Sequence, residues 1–386
     1  MNLDIQTPYH IFSEKAYESN LMLIDSISRK SNISILLAFK AYIPYHSSEL
    51  TEKYLSGLAV SSLYEMKMAK EYFPNMPIHL YMPAYDPLDY LELMTISGNL
   101  KSVVFNSYSQ FNKFKDSTPE HINIDIRINP QHIIKDSTIF DGYNPNTPFA
   151  RFGITQKELH KEKWDTRISG IHFHGLNAQN STDLLEMVEA IEDKFGSILS
   201  SVKRINLGGG HNLTEPSYDV NTLSKISNLL HDKYNLEVSM EPSEYVFKDV
   251  GTLQTKVLSL IHNDIDIAIL DTSAKSHMPD ILESPYYNVE IETAKYGRGE
   301  SPYSYRLGGC TCLTGDIIGD FSFDAPLEED QILSIKDQIP YTIVQSIHFN
   351  GFRKPGLVVL DKDNNIKLFK NDSYELYKKS TFNIGA

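Results

Sequence analysis

Residues 168–174 read Ile-Ser-Gly-Ile-His-Phe-His, and residues 202–210 read Val-Lys-Arg-Ile-Asn-Leu-Gly-Gly-Gly. Between them, the stretch 181–195 places Leu184, Leu185, Val188, Ile191 and Phe195 at helical spacing. A nearly continuous apolar run, an amphipathic helix and a second such run make a β-α-β unit whose strands are covered on both faces. Asp183 stands near the start of the helix, where an acidic side chain satisfies free amides. The unit then repeats: Leu223, Ile226, Leu229 and Leu230 give 221–234 the same helical period, and 236–243 supply another apolar run.

Working back toward the N-terminus, five further runs of the same kind occur at 33–41, 57–62, 78–83, 102–107 and 123–129. Eight β runs alternating with helices predict a (β/α)8 barrel of the TIM type over residues 20–250. After Val250 the rhythm changes. Short runs at 257–261, 265–271, 303–307, 332–335, 341–349 and 357–360 follow without long helices between them, and the polar turn 361–365 leads into 366–369 as a hairpin. They predict a separate all-β domain of sandwich or barrel-like form over 251–386. The extended opening 7–12 joins it as an N-terminal strand, so that residues 1–19 belong to this second domain.

Composition narrows the function. The chain has 386 residues, 41% hydrophobic and 22% charged, enough to bury a core without staples. A net charge of -14 argues against a general nucleic-acid binder, which needs a basic face. It is compatible with a cationic substrate, but most acidic proteins simply have solvated acidic surfaces. The two cysteines, Cys310 and Cys312, stand too close together to build a disulfide framework, and their spacing does not suggest zinc. No run approaches a membrane span, and the first residues lack the pattern of a secretion signal, so the cytoplasm is expected.

In such barrels chemistry gathers at the carboxyl ends of the strands. There the sequence places Lys40, Ser61 and Ser62, Asn106, Arg127 and Asn129, His172 and His174, the turn Gly208-Gly209-Gly210-His211, and Glu241. Lys40 follows the apolar Ile35-Leu36-Leu37-Ala38-Phe39; it reads as an amine that condenses with a carbonyl or as a lysine reaching for solvent. The glycine turn reads as a phosphate cradle or a tight βα turn. His174 fits over an aromatic cofactor or serves as a structural histidine. Glu241, before Pro242, fits a pyridine nitrogen or a loop hydrogen bond.

Taken together, these motifs resemble one family. Their carriers are Leu37-Ala38-Phe39-Lys40-Ala41, Arg127-Ile128-Asn129-Pro130, Arg151-Phe152-Gly153-Ile154, His172-Phe173-His174 and Asn206-Leu207-Gly208-Gly209-Gly210-His211. Later come His277-Met278-Pro279-Asp280, Cys312-Leu313-Thr314-Gly315-Asp316 and Phe349-Asn350-Gly351-Phe352. The chain resembles, over nearly its whole length, the alanine-racemase-like, fold-type III enzymes that use pyridoxal 5'-phosphate (PLP). Among them it is most similar to the carboxynorspermidine (carboxyspermidine) decarboxylase family.

The resemblance implies a PLP barrel joined to a β domain, no metal, and a homodimer with shared active sites. It implies that Lys40 carries the cofactor covalently, that His174 stacks on its ring and that Glu241 faces its nitrogen. Gly208, Gly209, Gly210 and Tyr341 would contact the phosphate. Cys312 would donate the proton that replaces carbon dioxide, with Cys312 and Asp316 entering the partner's site, and Glu244, Asp280 and Asp316 would bind substrate amino groups. Read without the family, Cys310–Cys312 and the two aspartates are loop residues and Tyr341 is core.

Three departures from the family pattern occur, and the first two touch the substrate and the phosphate. The family often has Leu-Cys-Glu after the paired histidines, where this chain reads Gly175-Leu176-Asn177-Ala178. Its Glu-Pro-Gly-Glu is Glu241-Pro242-Ser243-Glu244 here, and the proline before Thr-Cys is replaced by Cys310. The expected activity is decarboxylation of a carboxylated polyamine, to norspermidine or spermidine. The alternatives are a decarboxylase of another basic amino acid or polyamine conjugate, and a non-catalytic regulatory homologue.

Overall fold

A computed structural model describes residues 5–134, 144–161, 163–284 and 287–384. The chain divides into two compact units, one of residues 19–246 and one of residues 1–18 with 247–386.

The first strand, β1 (Tyr9–Ser13), belongs to the second unit. The next eight are β2 (Ser34–Ala38), β3 (Gly57–Val60), β4 (Ile78–Tyr81), β5 (Leu100–Phe105), β6 (Asn123–Arg127), β7 (Ile168–His172), β8 (Arg204–Asn206) and β9 (Glu237–Met240). They close into one barrel in sequence order, every neighbouring pair parallel, with β9 returning to β2 through Ser34 opposite Ser239. Their apolar runs are buried, as strands with both faces covered require.

The helices start where the chain supplies caps. The helix Ser181–Leu199 opens on a capping box in which Asn180 and Asp183 satisfy each other's backbone amides, and it buries Leu184, Val188, Ile191 and Phe195. The helix Val220–Tyr234 is capped by Asp219 and stopped by Asn235 in the left-handed conformation. The barrel interior also holds charge. Arg204 clamps Asp125 with two hydrogen bonds, at 3.1 and 2.6 Å, and donates a third to Ser169.

The second unit is built on one nine-stranded sheet. Its later strands are β10 (Gly251–Asn263), β11 (Ile265–Leu270), β12 (Ala294–Tyr296), β13 (Tyr303–Gly308), β14 (Ile317–Phe323), β15 (Ile332–Lys336), β16 (Gly356–Leu360) and β17 (Ile366–Lys370). The order is β12-β14-β13-β11-β10-β1-β16-β17, with β15 branching from β10. The 13-residue β10 pairs with β1 and β15 through its first half and with β11 through its second. β1 runs antiparallel to β10 and parallel to β16. The expected hairpin forms between β16 and β17, its turn held by Asp361 Oδ1, which accepts from the Asp363 and Asn365 amides.

Three features correct the sequence reading. The run 341–349, expected as a strand, is a short helix (Thr342–Gln345) followed by a 3-10 turn (Phe349–Gly351). Pro340 cannot donate to a ladder, and Tyr341 takes φ 60°, ψ −45° so that Thr342 N bonds back to the Pro340 carbonyl. The Thr342 hydroxyl then bonds Gln338 and the Ser346 hydroxyl bonds the Thr342 carbonyl. These local bonds outweigh the β preference of Thr342, Ile343 and Val344. The strands β12 and β14 were not anticipated. Nor was the helix Tyr374–Phe382.

His10, on β1, makes the sheet unit sensitive to acid. It is 2% exposed, and among the described residues neither ring nitrogen has a hydrogen-bond partner of good geometry. Burial, with His277 adding to it and the Gln338 backbone opposing it, pushes its pKa down to about 3 from the ordinary 6.5. The unfolded chain therefore binds a proton that the folded chain refuses. The resulting stability is complete above about pH 6.5 and is lost as the pH falls from there toward 3, at a limiting slope of about 1.4 kcal/mol per pH unit. His10→Leu is expected to lower the proton uptake on unfolding near pH 5 by about one proton. Denaturant titrations between pH 7 and 4 would show it as a shallower fall in stability, and an unchanged slope would contradict it.

Candidate active site

The carboxyl ends of the barrel strands open into a cavity of about 310 Å³. Lys40, Tyr81, Arg127, His172, His174 and Glu241 all line it, together with Ser61, Arg151 and Phe152. The residues before Lys40, from Ile35 to Phe39, are buried, whereas Lys40 itself is exposed. The apolar flank therefore anchors the strand without burying the amine. Close to it, Glu65 accepts from the Ser61 amide at 2.6 Å; burial raises its pKa, against the opposing pull of that hydrogen bond and of Lys40.

His174 and the glycine turn are in contact: Gly209 N donates to His174 Nδ1 at 3.2 Å. Burial keeps His174 far below its ordinary pKa, with the charges of Lys40 and Arg127 adding to the effect. It is therefore a neutral, flat ring. Gly208 and Gly210 have φ of 71° and 81°, and a Cβ on either would fall 2.2 and 2.1 Å from the carbonyl oxygens of Phe173 and Leu176. This turn admits only glycine. Asn206 fixes it by accepting from Gly208 N at 2.9 Å, and Glu241 N reaches back to the Gly208 carbonyl at 2.9 Å.

Glu241 is largely buried, and its Oε1 lies 2.6 Å from His172 Nε2. Burial on its own would raise the acid, but His172, Lys40 and Arg127 outweigh it, and the net effect holds Glu241 below the ordinary carboxylate value. Burial also drives His172 down, against the pull of Glu241. The pair is a carboxylate held by a neutral imidazole. The Tyr81 ring packs against His172 at 5.1 Å, and the buried Arg127 guanidinium lies over the rings of Tyr81 and Phe152 at 4.6 and 4.4 Å. The Tyr81 hydroxyl is anchored on Asn106 Oδ1, which also accepts from Gly153 N.

The sequence had placed His172 and Arg127 at strand ends without assigning them work. Their pairings with Glu241 and Tyr81 join strands that are not consecutive, so no sequence spacing reveals them. Glu244, three positions after Glu241, is exposed on a 3-10 turn of the same unit.

The other expected site residues lie in the sheet unit. Asp316 is 3% exposed, and both its oxygens are engaged by its own surroundings: Oδ1 by Ser273 and Lys275 N, Oδ2 by Ser273 and by the amide and hydroxyl of Thr311. It therefore shapes the Cys310–Cys312 loop. Cys312 is an exposed free thiol whose amide donates to Asn350 Oδ1 at 3.0 Å. Cys310 is half-buried, and burial, followed by Asp316, pushes it up to about 12. Asp280 is raised by burial, then by Glu283, and is bonded to Gln345. Tyr341 occupies the strained turn described above. Among the described residues no cluster of His, Cys, Asp and Glu could hold a metal ion.

A closed parallel barrel with an amine, a neutral imidazole, a carboxylate and a glycine turn at its mouth is the plan of an enzyme that works on a carbonyl-bearing aromatic cofactor. Comparisons with known proteins specify the class. Residues 98–338 match the family model described as pyridoxal-dependent decarboxylase, C-terminal sheet domain. A carboxynorspermidine/carboxyspermidine decarboxylase of Campylobacter jejuni is 36% identical, over 97% of this chain and 98% of the relative. A carboxyaminopropylagmatine decarboxylase of Synechocystis is 30% identical, over 97% and 95%. The crystal structure of carboxynorspermidine decarboxylase complexed with norspermidine, from C. jejuni, superposes with a TM-score of 0.87 at 34% identity, covering 98% of this chain and all of that one. The chain belongs to the pyridoxal-dependent decarboxylases, in the carboxynorspermidine/carboxyspermidine decarboxylase family.

The site fits the cofactor of that family. The glycine turn has no room for side chains, the amine and the carboxylate line one cavity, and the ring of His174 lines it between them in charge and in chemistry.

Proposed function

We propose that this chain decarboxylates a carboxylated triamine, converting carboxynorspermidine to norspermidine, carboxyspermidine to spermidine, or both, in polyamine biosynthesis. The observation that carries the reading is the shared cavity of Lys40, His174 and Glu241, in a chain similar from end to end to enzymes of that name. When bound, PLP supplies an electron sink for the bond to the departing carboxylate.

The chain's own residues do the rest. Lys40 presents the amine that holds the cofactor. His174, uncharged, would offer a flat face to the cofactor's ring. Glu241, kept anionic, would favour a protonated ring nitrogen. The amides of Gly208 to Gly210 and the Tyr341 hydroxyl would hold the phosphate. The Cys312 thiol would supply the proton to the carbon that loses carbon dioxide. Glu244 and Asp280 hold distal ammonium groups, while Asp316 adds its charge and fixes the loop that carries Cys312. The enzyme acts as a homodimer with shared sites, in the cytoplasm. Two free cysteines suit that compartment, and no helix among the described residues is long and apolar enough to cross a membrane.

One observation favours a second substrate. The Synechocystis relative is named for carboxyaminopropylagmatine, and this chain has Asn177-Ala178 where the leading family often has an acid. An assay with PLP would offer carboxynorspermidine, carboxyspermidine and carboxyaminopropylagmatine side by side and identify the product by mass. Preferred release of norspermidine or spermidine is expected. Preference for the guanidine-bearing substrate would transfer the assignment to it. A purified protein with neither cofactor absorbance nor turnover would be a binding or regulatory homologue.

A further inference from the structure

An ionised carboxylate only accepts hydrogen bonds, so the 2.6 Å contact between His172 and Glu241 requires the proton to sit on His172 Nε2. The other ring nitrogen, Nδ1, is buried and has no hydrogen-bond partner among the described residues. An imidazolium would therefore bury an unpaired N–H, whereas the neutral Nε2–H tautomer leaves only a lone pair there. The ring is kept in place by packing against Tyr81, and Tyr81 is itself tied to Asn106 and covered by Arg127. Among the described residues Glu241 has no second hydrogen bond on its carboxylate.

We infer that His172 is a positioning residue, whose single N–H fixes Glu241 Oε1 and leaves Oε2, with the charge, for the ring nitrogen of the cofactor. This rests on the reading of the cavity as a PLP site. The arrangement has the logic of an outer-shell partner: the imidazole acts through Glu241, setting the direction and protonation of the group that would meet the cofactor. A neutral partner matters, because an imidazolium would compete with the pyridine nitrogen for the same negative charge.

Two variants separate hydrogen bonding from packing. His172→Gln can place an amide N–H where Nε2 stands; His172→Leu fills much of the space and donates nothing. Apoproteins of both, checked for native circular dichroism, are titrated with PLP by absorbance. His172→Leu is expected to bind about 10- to 100-fold more weakly, the scale of lost outer-shell contacts. His172→Gln is expected to recover most of that affinity. Parental affinity in His172→Leu, or equal weakness in both variants, would overturn the inference. A second readout needs no cofactor. Nitrogen-15 spectra of the parental apoprotein, with His172→Gln for assignment, should show His172 as the neutral Nε2–H form near pH 7. An imidazolium or an Nδ1–H tautomer would overturn the inference too. If the parental protein binds no PLP at all, the proposed function fails, while the tautomer still decides whether His172 holds Glu241 in this way.

Discussion

Lys40→Ala is expected to release no carbon dioxide above background, a loss on the order of 10⁴-fold or more in kcat, as when a covalent nucleophile is removed. The reason is positional. Lys40 stands one residue past the buried Phe39 at the end of β2, in the same cavity as His174 and Glu241. Among the lining residues it is the one with a primary amine. The measurement has two parts. Borohydride reduction of the parental protein with PLP, followed by digestion, should leave a pyridoxyl group on the peptide containing Lys40. The Lys40→Ala protein should carry none and should turn over nothing. Parental turnover by the variant, or a label on a different lysine, would remove Lys40 from its assigned role.

Glu241→Gln should be the next most damaging change, at roughly 10²–10³-fold in kcat, the cost of losing a preorganised electrostatic partner. Glutamine preserves the size of the side chain and can still accept from His172 Nε2. What it removes is the negative charge that His172, Lys40 and Arg127 hold in place against burial. Folding should therefore survive, and at saturating PLP the chemical step slows. Single-turnover rates of carbon dioxide release would separate the two. A rate equal to that of the parental enzyme would show that the charge at Glu241 is not needed.

The barrel was legible because each of its strands writes the same signature, a short run buried on both faces, and because barrel chemistry collects at one end of those runs. Reading the carboxyl end of each run was enough to find Lys40, His174, the glycine turn and Glu241. The sheet unit was harder to read. The strand β14 was missed: it is fixed by pairing with β13, where Asp320 lies opposite Arg306 and accepts two hydrogen bonds from it. In 341–349 the β-branched residues read as a strand, yet Pro340 and the backbone of Tyr341 close a helix instead. Both errors arise from partners distant in sequence or from a single strained residue, neither of which a local pattern records. The same holds for His172: its meaning comes from β9, a strand that sequence order places two steps away around the barrel.

The strand at Tyr9–Ser13 sits between two neighbours, one starting at Gly251 and the other at Gly356. A ribosome therefore emits it long before either neighbour exists. At ordinary elongation rates the gap is on the order of tens of seconds, during which the whole barrel is synthesised. The nascent chain must carry an apolar ribbon with both edges open through that interval, which makes it a natural point of contact for chaperones and a liability when translation stalls.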